Sequence, residues 1–238
     1  STSNRCKLGG MLGNNSCGSH SLVYGSTRDH TISVSTILSD CSEVEFKPIN
    51  SEEFSDKLKL DSLEGQIYRF ISSILTDEKL IAEIDIQYPD KSIKRRNTGY
   101  ALDIISEMQP FKKDGEKLNL AKLLAGSEGT LAFTTEIKLN LVDLPPSNKA
   151  LVCVHLDSVS DALYANLIAL KFNPVSVELM DKAVIDLTKG NREQNKNRFF
   201  VKDDPGAILI VEFAEETQYL IDEKTEKNDV IKSDPHVA

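Results

Sequence analysis

A run of strict alternation near the middle of the chain constrains its fold more than any other feature. Leu131, Phe133, Thr135, Ile137, Leu139 and Leu141 alternate with Thr130, Ala132, Thr134, Glu136, Lys138 and Asn140. A period of two sends successive side chains to opposite faces of a sheet, so the spacing predicts one long strand with one face inward and one outward over that whole length. Just upstream, Leu120, Leu123 and Leu124 predict a short helix between Leu118 and Ala125, and Gly126 stands where a left-handed C-terminal cap is needed. Downstream, Pro145-Pro146 removes two backbone donors and stiffens the connection. A domain boundary is expected there, giving residues 1–146 and 147–238.

Around that strand the other elements follow from periodicity. Ile32 and Val34, then Val44 and Phe46, flank Ser39-Asp40-Cys41-Ser42 as two strands joined by a turn. Asn50 and Glu53 form a capping box ahead of Phe54 and Leu58. Leu63, Ile67, Phe70, Ile71, Ile74 and Leu75 make one apolar helical stripe, and a shorter helix from Asp77 to about Gln87 stops ahead of Pro89. Beyond the prolines the order reads strand 150–156, helix 157–171, strand 175–179, helix 181–189, strand 207–213 and a helix from Glu215, an α+β layer of ferredoxin-like type. Residues 190–204 are polar and read as a mobile loop, and residues 1–25 as a structured loop or linker.

With 238 residues the chain has room for two cores. Its 28 basic residues are outnumbered by 37 acidic ones, for a formal charge of -9, so no broad positive surface is offered to nucleic acid or anionic lipid. Arg95-Arg96 with Lys91 and Lys94 is the densest basic run, either a solvated loop or an anion holder. No apolar stretch reaches the roughly 18 residues that span a bilayer, and no secretory leader is visible, which predicts a cytoplasmic protein. Cys6, Cys17, Cys41 and Cys153 lack metal-ligand spacing and read as free thiols. His20, His30, His155 and His236 also lack it, so no metal is expected, and His155 on an alternating strand reads as structural. The absence of an initiator Met at Ser1 suggests a piece cut from a longer protein.

Two glycine-bearing segments carry the candidate chemistry. In the first, Gly9, Gly10, Gly13 and Gly18 surround Asn14, Asn15 and Ser16, with Tyr24-Gly25 following. Bare backbone can approach a ligand closely, and amides and hydroxyls can bond a polar ring edge or a phosphate; a turn-rich loop is the plainer reading. The second is Gly126-Ser127-Glu128-Gly129-Thr130-Leu131. Its glycines can bring main-chain amides against a cofactor while Glu128 accepts a ribose hydroxyl, or it is a helix cap and tight turn with Glu128 solvated. Glu178 and Asp181 in "VELMDK" either reach a pocket or form a strand end and helix cap.

Taken together, "GGMLGNNSCGSHSLVYGSTRDH", "RRNTGYALD" and "LLAGSEGTLAFTTEIKLNLVDLPP" resemble the FAD-linked oxidase family with the vanillyl-alcohol-oxidase (PCMH-type) flavin domain. Within it, the chain is most similar to the 2-hydroxy acid branch, which includes D-lactate dehydrogenases, the glycolate oxidase flavin subunit and D-2-hydroxyglutarate dehydrogenases. The resemblance implies an α+β fold: the second half of a PCMH-type FAD-binding domain, an antiparallel sheet with helices, over 1–146, then the start of a ferredoxin-like cap domain, the FAD-linked oxidase C-terminal domain, over 147–238. It implies FAD held along Gly9, Gly10, Gly13, Asn14, Asn15, Ser16, Gly18, Tyr24 and Gly25, by Asn97 and Tyr100, and by Gly126, Glu128, Gly129 and Leu131. The implied activity is hydride transfer from a D-2-hydroxy acid to flavin, with an electron acceptor such as an iron-sulfur domain of the same parent, and room for a homo-oligomer. The upstream pyrophosphate loop and the downstream His-rich motif of the family are missing from this stretch, so the FAD site is expected to be incomplete, the catalytic base is unassigned, and the piece alone is expected to be inactive. Oxidation of another alcohol, amine or sugar on the same fold stays open, as does a scaffold that has lost its cofactor.

Overall fold

The computed structural model describes residues 5–93, 95–96 and 99–227. The chain divides into two compact units, residues 1–18 with 24–142, and residues 19–23 with 143–238.

Along residues 5–142 the elements run α1 (Leu8–Asn14), α2 (Ser21–Tyr24), most of which belongs to the second unit, and then, in the first, α3 (Thr27–His30), β1 (Thr31–Ile37), β2 (Glu43–Phe46), α4 (Ser51–Leu58), α5 (Leu63–Leu75), α6 (Glu78–Gln87), α7 (Leu102–Ser106), α8 (Ala121–Leu124) and β3 (Phe133–Leu139). β1 lies between the other two strands and is antiparallel to both, with Val34 opposite Phe46 on one side and Ile137 on the other. The expected turn closes β1 and β2: Asp40 Oδ1 accepts the Ser42 amide at 3.0 Å while Cys41 takes φ 65°. The capping box of α4 is also present, Asn50 Oδ1 accepting from Glu53 N at 2.9 Å and Glu53 Oε2 from Asn50 N at 2.8 Å. α6 ends as Tyr88 turns extended ahead of Pro89.

Helix α5 carries the core on the expected face, with Leu63, Ile67 and Ile74 half-buried against it and Phe70 the exception. Tyr68, Ile71 and Leu75 are buried, whereas Phe70 is 65% exposed. Gly65 sets the approach: a Cβ there would lie 2.1 Å from the Leu60 carbonyl oxygen, so only glycine lets the helix start pass that backbone. Tyr68 then packs on Phe46 and Phe54, and burial pushes its phenol well above the ordinary range.

Two further expectations are corrected. Residues 8–14 and 21–24 of the supposed N-terminal loop are helical. Three glycines in α1 hide it from propensity, and the contacts described below supply the missing stability. The alternating strand is shorter than its pattern, and its apolar face is inward only in part: Ile137 packs on the core, whereas Leu131, Phe133 and Leu141 are 44%, 70% and 88% exposed. Alternation fixes which residues share a face, not which face is covered, and β3 is an edge strand of its sheet.

In the second unit β4 (Asn148–Leu156), α9 (Val159–Ala169), β5 (Ser176–Asp181), α10 (Lys182–Lys189), β6 (Ala207–Glu215) and α11 (Gln218–Lys227) follow. The sheet order is β4-β6-β5, antiparallel throughout. This first-third-second order, with α9 and α11 packed on the sheet, matches the expected ferredoxin-like layer. Ala162, Ala165 and Ala169 let α9 lie close on Leu209, Val211 and Phe213. Asp181 is the N-cap of α10, accepting from Val184 N at 2.8 Å, which is the simpler of its two readings. The polar stretch 190–204 holds a short 3-10 helix, Gln194–Phe200, which Arg198 ties to the Ile185 carbonyl and the Thr188 hydroxyl. The segment 19–23 reaches β6 through His20 Nε2 and Glu212 Oε2, 2.8 Å apart.

Candidate functional site

The two glycine-bearing segments of the first unit meet directly. Leu12, 2% exposed, anchors α1 in the core, and Asn15 ends the helix at φ 49°, so that its amide and that of Ser16 bond back to Leu12 and Met11. The outward carbonyls at that end then take the second segment: Gly126 N donates to Leu12 O at 2.9 Å and Glu128 N to Gly13 O at 3.0 Å. Asn14 Nδ2 adds a bond to Glu128 Oε1 at 3.0 Å. Positive φ at Gly126 (95°), Glu128 (52°) and Gly129 (75°) makes the turn possible.

Gly126 has a second reason to be glycine. An added Cβ would lie 2.6 Å from Arg28 Nη2 and 3.0 Å from Gly99 O. At Gly9, Gly10, Gly18 and Gly129 a Cβ would meet no atom of the described residues within 4 Å beyond its own neighbours and helix backbone. Their bare faces therefore answer no packing need inside the unit. Gly25, at φ 70°, lies where a Cβ would strike the Asp29 carboxylate, which caps α3 through Ser26 N at 2.7 Å.

Other expected residues are drawn into the same place. Ser16 O accepts Thr27 N at 3.0 Å and Thr27 Oγ1 at 2.8 Å, and Tyr24 O lies 2.5 Å from His30 Nε2. The Tyr100 hydroxyl is 2.7 Å from Thr130 Oγ1, and its carbonyl accepts from Tyr88 OH at 2.6 Å. Leu131 and Tyr100 also line an apolar cleft of about 590 Å³ with Phe46, Ile67, Phe70 and Leu124. Asn97 lies outside the described residues. Cys17 is half-buried and its Sγ accepts from Arg95 Nε at 3.2 Å.

Sequence reasoning passed over Arg28, which is 3% exposed. Its amide donates to Asn15 Oδ1 at 2.8 Å, while Nη2 reaches Gly99 O at 2.6 Å and Ala125 O at 2.5 Å, and Nε reaches Lys122 O at 3.0 Å. Lys122 Nζ answers by donating to Arg28 O at 2.7 Å and Asp29 O at 3.0 Å. Burial pulls both cations below their ordinary pKa ranges, opposed by the charges of Asp103 and Asp29 around Arg28 and of Asp29 and Glu116 around Lys122. An arginine inside the "GSTRDH" run was the available signal.

No family model matches the chain. It is 32% identical over 228 residues to D-2-hydroxyglutarate dehydrogenase of Escherichia coli (strain K12), an alignment that covers 94% of this chain and 21% of that protein. The chain is related to the D-2-hydroxyglutarate dehydrogenases. The protein of that name from Haemophilus influenzae is likewise 32% identical, over 93% of this chain and 21% of its own length. Glycolate oxidase subunit GlcD of Bacillus subtilis is 32% identical over 85 residues, 35% of this chain and 18% of that protein. The chain thus spans about a fifth of the length of the curated relatives it matches. Among solved structures, alkyldihydroxyacetonephosphate synthase is 16% identical with a TM-score of 0.48, covering 95% of this chain and 31% of that one. No described helix is long and apolar enough to cross a membrane.

Proposed function

We propose that this chain forms one wall of the FAD site in an oxidoreductase acting on a D-2-hydroxy acid, with residues 1–146 as part of the flavin domain and 147–238 as part of the substrate-covering domain. One observation carries the reading. The segments at Gly13 and Gly126–Gly129, far apart in sequence, are joined backbone to backbone through the 2.9 Å and 3.0 Å bonds, and around them Gly9, Gly10, Gly18 and Gly129 turn bare faces to open space. Helix glycines cost stability relative to alanine. Gly9 and Gly10, which no internal contact requires in α1, suit the close approach of an extended ligand.

The residues present fit such a group. Gly9, Gly10 and Gly18 would let the cofactor lie against the backbone, Gly13, whose Cβ position faces Glu128 Cα at 3.7 Å, would seat the second segment beside it, Asn14 and Ser16 would offer amide and hydroxyl groups, and Glu128, its Oε1 held by Asn14, would keep its other carboxylate oxygen for a ribose hydroxyl. Tyr24-Gly25, Asn15, Tyr100, Gly126, Gly129 and Leu131 would complete the wall. FAD would supply the hydride acceptor, and the protein would orient it and exclude water. The names of the relatives support a 2-hydroxy acid, with D-2-hydroxyglutarate the first to test. An electron acceptor, such as an iron-sulfur domain of the same parent, a cytoplasmic location and a homo-oligomer belong to the same proposal.

The parent protein, purified from its complete gene, is expected to carry about one FAD per chain and to reduce an artificial acceptor with D-2-hydroxyglutarate, D-lactate or glycolate. A colourless parent that cannot be reconstituted with FAD would reject the cofactor. A yellow parent inert to all 2-hydroxy acids would reject only the substrate class.

A further inference from the structure

We infer that Arg28 is the positioning residue of this wall, acting through backbone carbonyls rather than on the cofactor itself; the inference rests on the FAD reading above. Three of the segments assigned to the wall converge on it, those at Asn15, Gly99–Tyr100 and Ala125–Gly126. The Asn15 side chain holds the Arg28 amide, and the guanidinium holds Gly99 O, next to Tyr100, and Ala125 O, next to Gly126. Three of the linked positions are conformationally special, with Asn15 at φ 49°, Gly99 at 72° and Gly126 at 95°. Left-handed backbone is held only where its surroundings over-determine it. Arg28 supplies that constraint from below, and its Nη2 occupies the volume that a side chain at Gly126 would need.

The chemistry requires arginine. A guanidinium is a planar fork whose donors reach several acceptors in fixed directions, while a lysine ammonium is a point donor on a flexible stem. Arg28 also spends its charge on carbonyls: among the described residues no carboxylate comes within ion-pair distance of it. Bonds from an ionised donor to carbonyls are stronger than neutral ones, and those to Ala125 O are buried, so their loss leaves an acceptor unsatisfied. Removing the guanidinium frees Gly99 O and Ala125 O together, so the Tyr100 loop and the Gly126 turn lose their common support.

The test uses the full-length parent as apoprotein, with Arg28→Ala and Arg28→Lys, FAD titration by flavin fluorescence, and hydrogen exchange at the Gly126 and Glu128 amides. Arg28→Ala is expected to weaken FAD binding by about tenfold or more. Millimolar guanidinium should restore part of the loss and methylammonium should not, while Arg28→Lys stays weak. Wild-type affinity in either variant overturns the inference, as does a folded Arg28→Ala protein that guanidinium cannot rescue. If Arg28→Ala does not fold, Arg28→Lys decides by the same measurements. If the wild-type parent itself takes up no FAD, the cofactor reading fails and exchange alone judges Arg28: faster exchange at both amides in Arg28→Lys supports the positioning role, and unchanged exchange overturns it.

Discussion

The carboxamide of Asn14 donates to Oε1 of Glu128 across 3.0 Å, linking residues 114 positions apart at the surface of the first unit. Glu128 makes this bond from φ 52°, a conformation that disfavours any side chain. Glu128→Gly removes the bond and the strain together, so its unfolding midpoint in urea is expected to stay within about 0.5 kcal/mol of wild type. Glu128→Ala loses the bond and keeps the strain, and should be less stable by about 0.5–1.5 kcal/mol. Equal stability of Glu128→Ala and wild type would show that the clasp contributes nothing, and equal stability of the two variants that the strain contributes nothing.

Neighbouring glycines in one turn should respond unequally to the same substitution. Gly126→Ala meets Arg28 Nη2 at 2.6 Å and Gly99 O at 3.0 Å, in addition to its φ of 95°. A loss of about 2–4 kcal/mol is expected from overpacking and strain together. Gly129→Ala, with φ 75° and open space, carries the backbone term alone, about 1 kcal/mol. Thermal or urea unfolding of the two variants side by side checks the order.

These contrasts mark what could be read before any coordinates. Elements stabilised by neighbours in sequence were legible: the Asn50 and Glu53 box, the end of α6 ahead of Pro89, the turn at Asp40. Elements that depend on distant partners were not. Helix α1 holds three glycines in seven residues and is fixed by amides from Gly126 and Glu128. The exposed side of β3 carries the same alternation as a buried one, and Phe70 has the helical spacing of a core residue yet faces out. Of the candidate site, the glycine segments were legible because their composition is unusual. Arg28 was not, because its carbonyl partners lie 71, 94 and 97 residues away.

Glu107 provides a pH test. Its carboxylate is held by Lys112 and, at 2.6 Å, by Lys91, and these bonds, that of Lys112 first, lower its pKa in the folded protein. A depressed carboxylate pKa means that the unfolded chain binds more protons in the window just below the ordinary value of 4.5. The resulting stability is present above that value and is lost as pH falls through the folded one. The site is solvent-screened, so Glu107→Gln should cost less than about 1 kcal/mol at pH 7 and approach zero cost in acid, once the pH lies below the folded value. Urea midpoints of both proteins at the two pH values decide it; a cost that persists in acid would assign the loss to something other than charge.

Stability and cofactor binding should separate at Gly10. The position lies in α1, a Cβ there would touch nothing, and no positive φ is involved. Alanine is the better helix former by about 0.5–1 kcal/mol, so Gly10→Ala should raise the melting temperature of the apoprotein. If the open face of α1 is where the backbone meets FAD, the added methyl occupies the cofactor's space, and the parent should bind FAD more weakly while becoming more stable. Gly190→Ala is the control, since its Cβ also meets open space but it belongs to neither glycine segment. A Gly10→Ala protein that gains stability and keeps wild-type FAD affinity would show that the glycines of α1 do not face the cofactor.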